Sequence, residues 1–169
     1  MNISLRRLAA VAAVTAIFPL VSAGPAPAHF FGYDSVHSNK IDYVDSTIYD
    51  DARGWARDRW NAAGDVEIGA DTGWTNSDLI FDDTSSPAIS WTGLYVPDDP
   101  EDWILFNRSH MDNYDSDESL QRRRYVAMHE LGHALGLDHS FAGQIMNSTV
   151  GTQTTLGWHD LSDYQDLWG

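Results

Sequence analysis

The sequence "HELGHALGLDHS", His129 to Ser140, is the most informative part of the chain. It places three histidines, a glutamate and two glycines within eleven positions. Histidine and glutamate are costly to bury without partners, and a glycine destabilises a helix by about 1 kcal/mol relative to alanine. A specific role must therefore offset these costs.

The spacing of the histidines indicates a metal site at the end of a helix. His129 and His133 are four residues apart, so they lie on one helical face, one turn apart. His139 comes six residues later, and a continuing helix would rotate it by roughly 600°, onto the wrong side. Gly136 is where a left-handed residue could end the helix and return the chain. Gly132 is then a small residue inside the helix that allows close packing.

Three neutral imidazoles and one open position fit a single catalytic zinc ion with water as its fourth ligand. Glu130 is adjacent to His129, so it lies beside the ligand face and can contact that water without ligating the metal. Such an ion polarises a carbonyl oxygen and makes its water acidic. Glu130 would take the proton and pass it to the leaving amine. The pattern therefore predicts peptide hydrolysis by a zinc-bound water that Glu130 activates.

These residues match the metzincin signature HExxHxxGxxH, and they most resemble the matrixin branch, in which a serine follows the third histidine. "GQIM" supplies Met146, which matches the methionine of the family's turn below the zinc. "ILFN" resembles the strand before the active-site helix, and "LGWHDLSDYQDLWG" resembles the last helix. The resemblance implies that His129, His133 and His139 are the zinc ligands and that Glu130 is the general base.

The resemblance also implies that the strand containing "SWTGLYV" lines the cleft, where substrate would add as an antiparallel strand. The candidate substrate-binding residues are Trp91, Thr92, Gly93, Leu94 and Tyr95; a plain sheet edge is the alternative. The chain has no cysteine, so the family's cysteine switch is impossible, and a separate protein inhibitor is another means of restraint. The family's second, structural zinc is not expected in "DTGWTNSDLIFDD", which lacks histidine.

Periodicity predicts an α+β fold, and the resemblance implies a metzincin-like catalytic domain at 29–169. A mixed twisted sheet of about five strands carries the active-site helix and a second helix, and a small loop-rich C-terminal part ends in a helix. The upper part spans about 29–136 and the lower part about 137–169. We predict strands at 40–45, 66–70, 77–83, 88–96 and 102–107, and helices within 46–64, 120–137 and 160–167. Ser46 or Thr47 is the predicted cap of the first helix.

Residues 1–28 have the pattern of a secretory signal peptide. Arg6 and Arg7 precede an apolar run from Leu8 to Leu20, with cleavage expected after Ala23 or Ala28. A membrane anchor is the alternative, but a bilayer-spanning helix needs about 20 apolar residues. We expect a secreted, extracellular protein with no membrane attachment after the signal is removed.

The net charge of the chain indicates which classes of binding partner it disfavours. The formal net charge is −15, and loss of Arg6 and Arg7 leaves eight basic against 25 acidic residues, a charge of −17. Such a surface disfavours nucleic acids and anionic membranes. We expect a monomer that acts on proteins or peptides. The rival interpretation is a non-catalytic secreted binding module that zinc stabilises, but a structural zinc site needs no Glu130 and closes with a fourth protein ligand.

Other polar clusters are less specific. The loop "MDNYDSDES" could bind calcium, but it lacks the glycine and closing glutamate of an EF-hand, and helix capping is the alternative. Its candidate ligands are Asp112, Asp115 and Asp117. The remaining histidines have no partner at ligand spacing and are predicted to lie on the surface: His29, His37, His110 and His159.

Overall fold

The computed structural model describes residues 29–73, 77–98, 100–113 and 118–169. Its elements are β1 (Lys40–Asp45), α1 (Asp50–Asn61), β2 (Glu67–Ala70), β3 (Leu79–Thr84), β4 (Gly93–Val96), β5 (Asp102–Asn107), α2 (Arg108–Met111), α3 (Ser119–Ala134) and α4 (Trp158–Trp168). The predicted α+β architecture is confirmed. The proposed signal peptide lies outside the described residues. None of the described helices combines the length and apolar character needed to cross a membrane.

One mixed sheet holds all five strands in the order β2-β1-β3-β5-β4. The neighbouring pairs among β2, β1, β3 and β5 are parallel. β4 alone is antiparallel, and its pairing with β5 runs from Gly93 opposite Phe106 to Val96 opposite Trp103. Within the described residues, the other side of β4 pairs with no strand. The sheet therefore ends in an edge strand whose outer backbone groups can accept a further extended chain.

The core lies between one face of the sheet and the helices α1 and α3. Alternate strand residues are buried, as the two-residue period requires: Ile41, Tyr43, Leu79, Phe81, Ile104 and Phe106. From α1, Ala52, Ala56 and Trp60 recur every four residues and are buried with them. The indole of Trp60 donates a hydrogen bond to the carbonyl of Met128 at 2.9 Å, which joins α1 to α3.

The fourth predicted strand is shorter than expected, because a side chain takes over part of its hydrogen bonding. Asn107, at the end of β5, donates from its side-chain amide to the carbonyls of Ser86 and Trp91. Its backbone N–H donates to the Thr92 carbonyl at 2.8 Å. The chain before Gly93 is thus held as an irregular segment. The Asn107 side chain also accepts from the N–H of Ser109 and so starts α2, which ends at Met111, where the predicted acidic loop begins.

The predicted cap of the first helix is wrong. Tyr49 is the N-cap, and no side-chain hydrogen bond caps this end of the helix. Thr47 instead donates to the carboxylate of Asp83 at 2.6 Å and accepts from the N–H of Tyr49 at 3.1 Å. The threonine therefore attaches the entry of α1 to the end of β3, a long-range role that local sequence rules do not predict.

Candidate metal centre

The active-site helix α3 ends where the sequence predicts a break. Gly136 has φ +87°, and its N–H donates to the carbonyl of His133 at 2.9 Å. The N–H of Leu137 donates to the carbonyl of Gly132 at 3.0 Å. These two bonds and the left-handed glycine form a Schellman motif. The predicted helix end is confirmed, and the chain turns back so that His139 faces the helix.

The three predicted histidines come together at this turn. The Nε2 atoms of His129 and His133 are 3.2 Å apart, and the ring centroid of His139 lies 5.2 Å and 5.0 Å from those of the other two. All three ligand atoms lie within 4.8 Å of one another. Asp138 is not in this group, since its carboxylate accepts a hydrogen bond from the N–H of His139. We call His129, His133 and His139 the triad.

Hydrogen bonds on the outer side of two rings fix which nitrogen carries the proton. The Nδ1 of His129 lies 2.8 Å from the carbonyl oxygen of Ile145, and that of His133 lies 2.7 Å from the carbonyl oxygen of Leu137. A carbonyl oxygen only accepts, so each Nδ1 is the donor and each Nε2 presents a lone pair. Two lone pairs at 3.2 Å cannot form a hydrogen bond with each other.

A cation between the two Nε2 atoms resolves this repulsion. Ligands about 2.0 Å from a tetrahedral zinc ion are about 3.3 Å apart, close to the observed separation of 3.2 Å. The imidazole donor set is one that zinc prefers. The triad therefore fits zinc in both its chemistry and the spacing of its atoms.

Burial keeps these imidazoles in the form that binds metal. It lowers the pKa of His129 to about 3, and the neighbouring His133 lowers it further. Burial also lowers the pKa of His133. The two side chains are only 8% and 7% exposed. Both are neutral near pH 7, so little proton release accompanies metal binding at these positions.

Glu130 occupies the space between α3 and the edge strand β4. Burial raises the pKa of its carboxyl group to about 8, and a hydrogen bond with the backbone of Tyr95 acts in the opposite direction. A Cβ atom at Gly93 would lie 2.6 Å from Glu130 Oε1, closer than side chains approach in practice. Glycine at position 93 therefore leaves the room that Glu130 occupies.

The floor of the site is Met146, which is buried against α3. A Cβ atom at Gly132 would overlap its Sδ atom, so the predicted packing role of Gly132 has an identified partner. Asp160, fully buried in the first turn of α4, accepts hydrogen bonds from the N–H groups of Ile145 and Met146 at 2.8 and 3.1 Å. The carbonyl of Ile145 in turn accepts from His129.

Asp160 is thus a positioning residue that the sequence interpretation missed. Its carboxylate also accepts from the N–H of Gly157 at 2.8 Å, so it caps α4 while it holds the turn under the triad. The one available signal was an acidic residue in the first turn of a helix, which is favourable for the helix dipole and therefore common.

A cleft of about 400 Å³ lies beside the triad, within the size range of binding pockets. All five candidate substrate-binding residues line it. Gly93, Leu94 and Tyr95 belong to β4, and Trp91 and Thr92 precede it. The hydroxyl of Tyr95 donates to Asp102 at 2.8 Å, so this side chain is held in the core. The lining also includes Phe31, Tyr125, Val126, Asn147 and Val150.

Calcium is not supported at the predicted acidic loop. Asp115 and Asp117 lie outside the described residues. The carboxylate of Asp112 accepts from the hydroxyl of Tyr49 at 2.7 Å and pairs with Arg123 at 3.5 Å. Among the described residues, neither group that could hold a metal ion includes Asp112.

The prediction that every remaining histidine lies on the surface is wrong. His159 is 1% exposed, and it forms a second potential metal-binding group with His29 and Asp163. We call these three residues the terminal cluster. His29 and Asp163 are 134 positions apart, so ligand spacing in the sequence could not reveal the group.

Comparison with known proteins places the sequence in one family. The sequence model of the matrixin family matches residues 36–169. Similar solved structures include the GM1-bound ECX AB5 holotoxin, with 17% identity, a TM-score of 0.47, and coverage of 80% of this chain and 75% of that one. Archaemetzincin from Archaeoglobus fulgidus complexed with malonate gives 13% identity, a TM-score of 0.45, and coverage of 73% and 99%. A search of curated proteins finds no match.

Proposed function

The chain belongs to the matrixin family of zinc metalloproteases, and from this premise we propose that it is a secreted zinc endopeptidase in which Glu130 activates water. The observation that carries the proposal is the pair of Nε2 lone pairs, 3.2 Å apart, on His129 and His133. His139 approaches the same point from the far side of the turn. Three imidazoles arranged in this way are stable when they bind a cation, and their lone pairs repel each other when no cation is bound.

The proposed chemistry divides between the ion and the protein. A zinc ion held by the triad would polarise the scissile carbonyl and make water more acidic. Glu130 then accepts a proton from the attacking water and gives it to the amine nitrogen as the peptide bond breaks. Burial raises the pKa of Glu130 toward neutral pH, which suits a group that must first accept and then release a proton. A zinc ion held beside it would lower this pKa and favour the carboxylate that accepts the proton.

Glu130 also distinguishes an enzyme from a zinc-stabilised binding module. A buried carboxylate has a desolvation cost, and the hydrogen bond with the Tyr95 backbone offsets it only in part, because burial still raises the pKa of Glu130. No lysine or arginine ion pair involves Glu130 among the described residues. The carboxyl group lies instead beside the ligand set and at the wall of the cleft. This position favours a general base.

The substrate we propose is an extended peptide. The free side of β4 can hydrogen-bond an antiparallel chain, and that strand passes directly over Glu130 at Gly93. A peptide bound there would bring its backbone along the cleft and past the triad. The cleft beside the triad would then accept a side chain of the substrate.

Secretion is part of the proposal and rests on residues 1–28. The basic start, the short apolar run and the small residues before Ala23 and Ala28 support a cleavable signal. N-terminal sequencing of protein recovered from the culture medium tests it. The mature chain should begin at Gly24 or His29; retention of residues 1–28 on a membrane-bound product would contradict secretion.

The decisive experiment for activity is cleavage of a mixed peptide library by the purified protein. Cleavage should stop with a zinc chelator and return when zinc is added. Glu130→Gln, matched in zinc content, serves as the control against a contaminating protease. A protein that contains zinc at the triad and cleaves no peptide would overturn the proposed function. The cleaved sequences would define the residue preferred in the cleft.

A further inference from the structure

We propose that the terminal cluster, His29, His159 and Asp163, is a second zinc site that joins the N-terminal segment to α4. The Nδ1 atoms of His29 and His159 lie 3.4 and 3.0 Å from the same carboxylate oxygen, Oδ2 of Asp163. One ligand atom from each residue lies within 4.8 Å of the others, as in the triad. This proposal concerns residues outside the catalytic cleft and does not depend on the proposed function.

The buried carboxylate of the terminal cluster needs a positively charged partner. Asp163 is 3% and His159 is 1% exposed. Among the described residues, the ion-pair partners of Asp163 are these two histidines, with no lysine or arginine. A carboxylate removed from water needs a positive partner. Asp163 also accepts from the backbone nitrogen of His29 at 3.3 Å. Its positive partner is therefore a protonated imidazole, a metal ion or, when the signal is cleaved after Ala28, the α-ammonium group of His29.

The arrangement of the rings favours the metal ion. The Nδ1 of His159 is buried and makes no hydrogen bond in the part of the chain that the structure describes, although Asp163 Oδ2 is 3.0 Å away. The oxygen therefore does not lie along the N–H direction of an imidazolium. Two atoms that bind the same ion lie close together but point toward the ion and not toward each other. For tetrahedral zinc their separation is about 3.3 Å, close to the 3.0 Å between His159 Nδ1 and Asp163 Oδ2.

The imidazole rings of His29 and His159 are as close to each other as the rings of the triad. The centroids of His29 and His159 are 5.2 Å apart, and the pairs within the triad are 4.7 to 5.2 Å apart. Two imidazoles and one carboxylate are a donor set that zinc binds in proteins. The ring of Phe141 packs edge-on against both imidazoles, at centroid distances of 5.3 and 4.7 Å. We therefore assign this site a structural role.

A zinc ion there would stabilise the loop that carries the third ligand of the triad. The carbonyl of His29 accepts from the N–H of Asp138 at 2.8 Å, and the N–H of Phe31 donates to the carbonyl of Gly136 at 2.8 Å. The N-terminal segment thus lies against the turn between His133 and His139. Fixing His29 to α4 would hold this segment in place.

Zinc content per chain tests the proposal directly. Wild-type protein dialysed against metal-free buffer should retain about two zinc ions, and His29→Ala, His159→Ala and Asp163→Asn about one each. His139→Ala should also lose one ion, and the double variant with His29→Ala should lose both. His37→Ala is the matched control and should retain two ions, because in the described part of the chain His37 pairs with Asp78 at 3.0 Å and belongs to neither potential metal-binding group. One ion in the wild type, unchanged by His29→Ala and abolished by His139→Ala, would overturn the second site.

The zinc dependence of the melting temperature is a second test, which applies when a variant is too unstable for metal analysis. In the His139→Ala background, added zinc should raise the melting temperature, because binding to the native state alone stabilises it. Addition of His29→Ala should abolish that rise; His29 is partly exposed, so its removal leaves no large cavity. An equal rise with and without His29 would mean that the terminal cluster is an imidazolium–carboxylate pair and contains no metal. Loss of peptide cleavage alone would bear on the triad and leave this result unaffected.

Discussion

The two histidine groups are built in opposite ways. The triad comes from eleven consecutive residues, and it borders a cleft of about 400 Å³. The Nδ1 atoms of His129 and His133 donate to backbone carbonyls. The terminal cluster joins the first described residue to the last helix, and it is held by a buried carboxylate under the ring of Phe141. On our proposals, histidine serves chemistry at the triad, which borders the cleft, and architecture at the terminal cluster, where Phe141 packs on His159.

The largest expected effect is the loss of peptide hydrolysis in a variant of Glu130 that still binds zinc at the triad. Glu130→Gln cannot accept a proton, so kcat/KM should fall about 100- to 10,000-fold. Zinc should remain at both groups, which metal analysis of the same sample would verify. Near-normal hydrolysis by the variant would remove Glu130 from the mechanism and weaken the contrast between an active and a structural group.

The second prediction tests the membership of the triad. His139→Ala should lower zinc affinity at the triad by more than about 100-fold, since loss of a direct ligand should exceed the 10- to 100-fold typical of supporting residues. Asp138→Ala should change it little, because Asp138 caps only the N–H of His139. A chelator competition series measures both affinities. Equal losses in the two variants would show that the turn, and not the imidazole, determines binding.

The third prediction concerns the position of Glu130. Gly93→Ala places a Cβ atom 2.6 Å from Glu130 Oε1, so the carboxyl group must move. A displacement of about 1 Å can lower the rate about 100-fold. Zinc content should be unchanged at both groups, with the loss mainly in kcat. Unaltered kinetics would mean that Glu130 adjusts without cost; Gly54→Ala is a suitable control, since a Cβ atom there meets nothing within 4 Å.

The fourth prediction addresses Asp160, which lies between the two groups on α4. Asp160→Asn keeps the side-chain shape but weakens the hydrogen bonds to Ile145 and Met146. Zinc affinity at the triad should fall about 10- to 100-fold, as for other residues that orient ligands. Affinity at the terminal cluster should change less. If both affinities fell together, α4 would couple the two groups more tightly than their separate contacts indicate.

The smallest expected effect is the pH dependence of the zinc-free protein. Unfolded His129 binds a proton near pH 6.5, but the folded side chain has a pKa of about 3. At this position the unfolded state therefore takes up more protons as the pH falls below 6.5, so His129 should lower the free energy of unfolding by about 2 kcal/mol from pH 7.5 to 5. Glu130, whose pKa burial raises to about 8, acts in the opposite direction, so the His129 component is the difference between the wild type and His129→Ala. Urea titrations at both values measure it. His129→Ala should lose this component of the slope, and an unchanged slope would contradict the neutral, buried state of His129.

The sequence predicts helix α3 and the grouping of the three histidines because their information is local. Four-residue spacing places two histidines on one face, and Gly136 ends the helix through its positive φ. The fourth strand was overestimated because Asn107, far along the chain, satisfies the backbone before it. Local rules favour Ser46 or Thr47 as the cap, because the bond from Thr47 to Asp83 cannot be predicted from neighbouring residues.

The missed parts of the site are likewise long-range. Asp160 supports a turn fourteen to fifteen residues earlier in the chain, and an acidic residue near a helix start has too many ordinary explanations to reveal such a role. The terminal cluster depends on the N-terminal segment reaching α4, which no periodicity encodes. Burial of His159 was misjudged for the same reason, since its partners come from distant positions.

The contact between Gly132 and Met146 also limits how this sequence can change over generations. The Sδ atom of Met146 occupies the space that a side chain at 132 would need, and Trp60 Cζ2 would lie 3.1 Å from the added carbon. An enlarged residue at 132 is therefore tolerable only after a smaller one has replaced Met146, which alone would leave a cavity under the triad. Neither single step is neutral, so these positions should vary together in descendants or remain fixed together.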